Sequence, residues 1–141
     1  MNRIYWDAML FVYLIEANQL FAPQIQQILE RMEHRGDKMI TSIFTLGEVL
    51  TGPQKSGATQ VAARIKSWFA GSAVELLPFD EQTAERYSLL RATYKVSQAD
   101  AIHLATASLA SADVFLTNDK ALHKLVIPGI RFVVGLDGTM F

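Results

Sequence analysis

Short runs of β-forming residues alternate along this chain with longer stretches of helical periodicity, and that alternation narrows the fold more than any other feature. Antiparallel strands can be joined by a tight turn. Strands separated by helices need crossovers instead, which run right-handed and give a parallel sheet covered on both faces. Strands are expected at residues 3–7 (RIYWD), 38–42 (KMITS), 73–78 (AVELLP), 113–117 (DVFLT) and 131–134 (RFVV). Helices are expected at 8–16, 23–35, 44–50, 57–71, 81–94 and 98–110, with a short one at 120–125. In the second helix Ile25, Ile28, Leu29 and Met32 recur at helical spacing, with Pro23 suited to the first turn and Gly36 to a stop. The third is expected to end at Gly52-Pro53. The implied class is α/β, a five-stranded and mainly parallel sheet between helical layers.

Composition agrees with a packed domain. Half of the 141 residues are hydrophobic and 19% are charged, a balance that supports a core and argues against disorder. The length suits a single domain over residues 1–141. No cysteine is present, which excludes disulfides and zinc–thiolate sites and makes a reducing cytoplasm the expected compartment. The apolar stretch near the N-terminus contains Asp7, and nowhere is there a run of about 18 apolar residues, so neither a leader nor a membrane span is expected. The net charge of −1 lacks the basic footprint of a dedicated nucleic-acid binder, which leaves local clusters to decide. Neither a P-loop nor a G-x-G-x-x-G stretch occurs, which weighs against a nucleotide-binding protein.

Four acidic residues stand out by where the alternation puts them. Ligands of an open parallel sheet bind beyond the carboxyl ends of its strands. Asp7 closes the first expected strand and Asp119 follows the fourth by two residues. Asp100 begins the helix that runs back toward the fourth strand. Thirteen helical residues span about 20 Å and five strand residues about 17 Å, so the start of that helix returns to the same edge. Glu48 lies just after the second strand, among the apolar residues Leu46, Val49 and Leu50. Such acids would repel one another, and a divalent cation removes the conflict. Oxygen donors without cysteine favour a hard ion, Mg²⁺ or Mn²⁺, able to activate water and stabilise charge on a phosphodiester. Each Asp also has a plain structural use. Asp7 suits an N-cap, Asp100 forms an S-x-x-D spacing with Ser97, and Asp119 suits a helix N-terminus.

The same positions resemble the PIN-domain family, in particular the VapC-type toxins of toxin–antitoxin pairs. The likeness rests on Tyr5-Trp6-Asp7, on Thr41-Ser42 followed by residues 45–50 (TLGEVL), on residues 100–107 (DAIHLATA), and on Leu116-Thr117-Asn118-Asp119, in that order. It implies a three-layer α/β/α sandwich, a site of Asp7, Glu48, Asp100 and Asp119 binding one or two Mg²⁺ or Mn²⁺ ions, and endoribonuclease activity. Thr117 matches a hydroxyl position two residues before the last acid, where it would orient ligands or water. A cognate antitoxin and a homodimer are also implied. The chain departs from the pattern at Ala8-Met9, where many relatives carry a hydroxyl or amide. A catalytically silent module of the same fold, binding RNA or protein, is the competing reading.

Other polar residues read more plainly. His103 sits one turn after Asp100, a placement that suits facing the cleft and touching phosphate, although an ordinary helix histidine is the preferred reading; His34 and His123 fall at polar helix ends. Lys120, His123 and Lys124, and likewise Arg86, Arg91 and Lys95, suit either an RNA backbone or a solvated helix face. Trp6, Trp68 and Phe69 are expected in the core or an interface. The apolar helices at 8–15 and 98–110 are candidates for a dimer or antitoxin surface, with core burial the default.

Overall fold

The computed structural model describes residues 1–137. In chain order the elements are β1 (Arg3–Trp6), α1 (Ala8–Ile15), α2 (Ala22–Arg35), β2 (Lys38–Ser42), α3 (Ile43–Ser56), α4 (Thr59–Ala70), β3 (Glu75–Leu77), α5 (Glu81–Thr93), α6 (Gln98–Leu109), β4 (Val114–Leu116), a 3-10 turn at Lys120–Lys124, and β5 (Phe132–Val134). The five strands form one sheet in the order β3-β2-β1-β4-β5, and every pairing is parallel. The expected mainly parallel sheet is thus wholly parallel.

Side chains of the three central strands alternate between two cores, as the pleat requires. Ile4, Trp6, Met39, Val114 and Leu116 face one layer, where they meet Phe11 of α1, Ile25 and Ile28 of α2, Val49 of α3 and Phe69 of α4. Tyr5, Ile40 and Phe115 face the other, against Leu90 of α5 and Leu104 and Ala105 of α6. Trp6 is fully enclosed, and its indole N–H meets Met32 Sδ at 3.3 Å, so burial of that large ring leaves no orphaned donor. Helix α6 is buried over most of its length, and its small residues let α5 pack closely beside it. Its role is therefore core. On α1, Met9 and Ile15 are exposed. Among the described residues no helix is long and apolar enough to cross a membrane.

One boundary differs markedly from expectation. Helix α3 runs through Gly52-Pro53 and ends at Gly57, whose φ of +70° suits the glycine stop that a helix needs. Gly57 N–H reaches Gln54 O and Ala58 N–H reaches Pro53 O, so the terminal carbonyls are satisfied four residues beyond the proline. Pro53 removes one helical N–H donor, and packing of Val49 against the core together with this cap outweighs that loss.

Chain order and sheet order diverge at β1. The chain builds outward through β2 and β3, then returns to β1's other side with β4 and β5. The β1–β4 junction is the switch point, where the connections leave toward opposite sides and open a crevice at the strands' carboxyl ends.

Candidate active site at the sheet switch point

A cavity of about 380 Å³ opens at that crevice, and Asp7, Glu48, Asp100 and Asp119 all line it. Ala8, Met9, Val12 and Tyr13 of α1, with Ala99, His103 and Asn118, complete the wall.

Asp7 is fixed by the sheet. Its backbone N–H donates to Leu116 O at 3.0 Å, extending the β1–β4 ladder by one residue. Its carboxylate is almost wholly buried; Oδ1 accepts from Ala8 N–H at 2.8 Å and Oδ2 from Thr117 Oγ1 at 2.7 Å. Thr117 is itself held by its N–H to Val134 O, and its hydroxyl also accepts from Asp119 N–H at 3.1 Å. This one buried hydroxyl therefore ties together the two acids that follow β1 and β4. Thr117 lies behind Asp7 and does not itself line the cavity.

Asp119 starts the 3-10 turn, accepting from Ala121 N–H at 3.0 Å. Asp100 lies in the first turn of α6, where Ser97 Oγ accepts its N–H at 3.1 Å. The capping uses expected for these residues are thus present, and the same residues reach the cavity. Burial pushes the Asp100 carboxyl above its ordinary range; a hydrogen bond from Ser97 opposes this, the negative charges of Asp7 and Asp119 reinforce it, and His103 opposes it weakly. Crowded, partly desolvated carboxylates hold protons in this way when no cation balances them.

Glu48 points from α3 to His103, with Oε1 2.5 Å from His103 Nε2. His103 is only 2% exposed, and its Nδ1 lies 2.6 Å from the Tyr5 hydroxyl. The reading of His103 as an ordinary helix histidine is therefore incomplete. It stands at the cavity wall in contact with a candidate acid. The signal available in the sequence was its placement three residues after Asp100, which puts both on one helical face. Its partners lie far away in the chain. Asn118 also lines the cavity and donates from Nδ2 to Tyr13 Oη at 3.4 Å.

The basic residues sort differently. None of Arg86, Arg91, Lys95, Lys120, His123 or Lys124 lines the cavity. Arg86 donates to Ser108 Oγ, and His123 Nε2 contacts Thr117 O at 2.9 Å, so both serve the fold. Trp6 and Phe69 are core residues, whereas Trp68 is 43% exposed. It lines a larger, mostly apolar hollow of about 450 Å³ with Phe11, Leu14 and Ile15, away from the acids.

Among the described residues no three His, Asp or Glu side chains gather closely enough to enclose a metal ion unaided. The donors are nevertheless all of one chemical kind, carboxylate oxygens on a shared cavity. A small hard cation fits such a set without a closed cage, because it keeps several waters and takes only one or two carboxylates directly.

This sheet order, with acids gathered at its switch point, is that of an α/β fold whose ligand site lies at the strands' carboxyl ends. The model of the PIN domain matches residues 4–127, and the chain belongs to that family. Among solved structures it resembles VapBC2 of Rickettsia felis bound to a promoter DNA fragment, at 19% identity and a TM-score of 0.74, over 94% of this chain and 98% of that one. A toxin–antitoxin complex from Klebsiella pneumoniae matches at 25% identity and a TM-score of 0.66, over 93% and 99%. VapC20 of Mycobacterium tuberculosis, a toxin that cleaves the sarcin–ricin loop, matches at 16% identity and a TM-score of 0.68, over 87% and 96%. No curated protein gives a significant sequence match.

Proposed function

We propose that this chain is a metal-dependent endoribonuclease and the toxin of a toxin–antitoxin pair, with Asp7, Glu48, Asp100 and Asp119 holding one or two Mg²⁺ or Mn²⁺ ions. The observation that carries the reading is the meeting of four acids, from four separate segments, on one cavity at the sheet's switch point. Membership of the PIN-domain family and likeness to toxins of such pairs support it.

Bound there, a hard divalent ion would polarise phosphate oxygens and lower the pKa of water. The chain's own part is positional. Thr117 locks the Asp7 carboxylate and the start of the Asp119 turn. Helix α6 brings Asp100 opposite them, and α3 brings Glu48. Ala8, Met9 and Val12 of α1 give the cavity an apolar wall on one side. The apolar hollow beside Trp68, separate from the acids, supports a second role for the surface in binding an antitoxin or a second copy of the chain.

Cleavage of RNA with Mg²⁺ or Mn²⁺ tests the proposal. Asp7→Asn and Asp100→Asn are each expected to reduce the rate by about 10²-fold or more, since ion-based charge stabilisation is worth several kcal/mol. Equal cleavage by all three proteins would remove the metal-site reading. The open spacing of the acids favours one rival, a catalytically silent module. Wild-type protein that binds RNA yet cuts no transcript with either ion would establish that rival.

A further inference from the structure

His103 has no part in that scheme, yet it is buried more deeply than Asp7 or Glu48. We propose that His103 is a positioning residue for Glu48, holding its carboxylate at the cavity through a hydrogen bond from Nε2–H, with the ring fixed from behind by the buried Tyr5 phenol. The inference rests on Glu48 being one of the ion-holding acids.

Tyr5 Oη accepts Ser42 N–H at 3.2 Å and lies 2.6 Å from His103 Nδ1. Burial pushes the phenol far above its ordinary range, so the oxygen keeps its proton. The nearby hydroxyls are already engaged. Thr41 donates to Trp6 O at 2.8 Å, which leaves Thr45 as the donor across the 2.7 Å contact between the two threonines. The phenol oxygen thus lies against Nδ1 on one side and the Thr41–Thr45 hydroxyl pair on the other. A carboxylate oxygen brings no proton of its own, so Nε2–H donates to Glu48 Oε1 across 2.5 Å. A bare Nε2 would instead set its lone pair against a carboxylate oxygen at that distance.

The surroundings hold the ring in this pose. Tyr5 stacks on Phe115, with centroids 5.0 Å apart and planes at 7°, and the Phe44 ring lies 5.5 Å from the imidazole. The nearest Asp7 oxygen is 3.8 Å from Nε2, beyond hydrogen-bond reach, so the ring serves Glu48. Glu48 stands on a helix with three side-chain torsions to fix. A hydrogen bond from a rigid, buried ring removes that freedom before any ion or substrate arrives, and bonds behind ligating groups tune affinity in this way.

Two measurements decide the matter. Imidazole ¹⁵N shifts of the ion-free wild-type protein are expected to show a proton on His103 Nε2. In Tyr5→Phe, which keeps the ring but loses the hydroxyl, the Nδ1 shift is expected to move. A wild-type ring with Nε2 bare overturns the inference without reference to catalysis. Calorimetric titration with Mn²⁺ alone gives the second readout. His103→Leu is expected to weaken binding about 10–100-fold, and His103→Gln, which keeps an N–H near the Nε2 position, to recover most of the loss. Asp7→Asn serves as the control. If it abolishes Mn²⁺ binding while folded His103→Leu binds like wild type, only the positioning role falls. If wild-type protein binds no Mn²⁺, or Asp7→Asn binds as wild type does, the metal-site reading falls and this inference with it. Should His103→Leu not fold, the wild-type ¹⁵N shifts and His103→Gln still decide.

Discussion

Replacing Thr117 by valine removes one hydroxyl and almost no volume, which makes it the cleanest probe of how the site is held. Thr117 is fully buried; its hydroxyl donates to Asp7 Oδ2 at 2.7 Å and accepts from Asp119 N–H at 3.1 Å. A hydrogen bond to a charged group contributes about 1.5–3 kcal/mol and one between neutral groups about 0.5–1.5 kcal/mol. Valine removes both, an upper loss of about 2–4.5 kcal/mol. Asp7 borders the cavity, so water can replace part of its lost partner. The expected net cost is thus in the lower half, about 2–3 kcal/mol, which lowers Tm by about 4–12 °C for a chain of this size. Thr117→Ser keeps the hydroxyl and loses a methyl, a change that costs about 0.5–1.5 kcal/mol. Urea unfolding of the three proteins gives the ranking by linear extrapolation. The expected order of stability is wild type, then serine, then valine. If valine matches wild type or exceeds serine, Thr117 acts by packing alone, and its hydroxyl does not hold Asp7.

Two further outcomes follow from single geometric facts. Gly129 has φ +93°, and a Cβ there would meet Ser108 O at 2.5 Å, so Gly129→Ala is expected to cost about 1–3 kcal/mol in backbone strain alone; a thermal melt within a degree or so of wild type, against roughly 2–4 °C per kcal/mol, would mean that the loop before β5 shifts freely. Asp100 keeps its proton to higher pH in the folded chain than in the unfolded one, so the folded state binds more protons and stability from this group falls as pH rises from the ordinary carboxylate value through the raised one. Asp100→Asn removes that loss, and its Tm relative to wild type is expected to climb across the window. A difference that stays flat with pH would show that Asp100 ionises as it does in the unfolded chain.

The sheet was legible because its signals are local. Arg3–Trp6 and Lys38–Ser42 are runs of large and β-branched residues, and α6 runs directly into β4, so that its start, with Asp100, returns to the edge where β4 ends. The extent of α3 was not legible. Gly52-Pro53 has the composition of a stop, but the end of that helix is decided by the Gly57 cap and by how Val49 packs, and neither follows from the dipeptide. The pairing of His103 was hidden for a different reason. Its partners Tyr5 and Glu48 lie 98 and 55 residues away, and only alternation in β1 sends Tyr5, unlike Ile4 and Trp6, into the layer that contains α6.

The capping and functional readings of the acids looked like rivals in the sequence, and the geometry removes the rivalry. An ionised carboxylate has roughly four lone-pair sites. Asp7 commits one oxygen to Ala8 N–H and the other to Thr117, and Asp119 commits one to Ala121 N–H. Each bond orients its carboxylate while leaving lone pairs for a ligand. A carboxylate on an uncapped loop would have to be ordered at the moment of binding, and the ordering would weaken affinity. Here the turns that stop β1 and β4 at the switch point hold two of the acids in advance. The local bonds that terminate the two strands thus already restrain the acids they present.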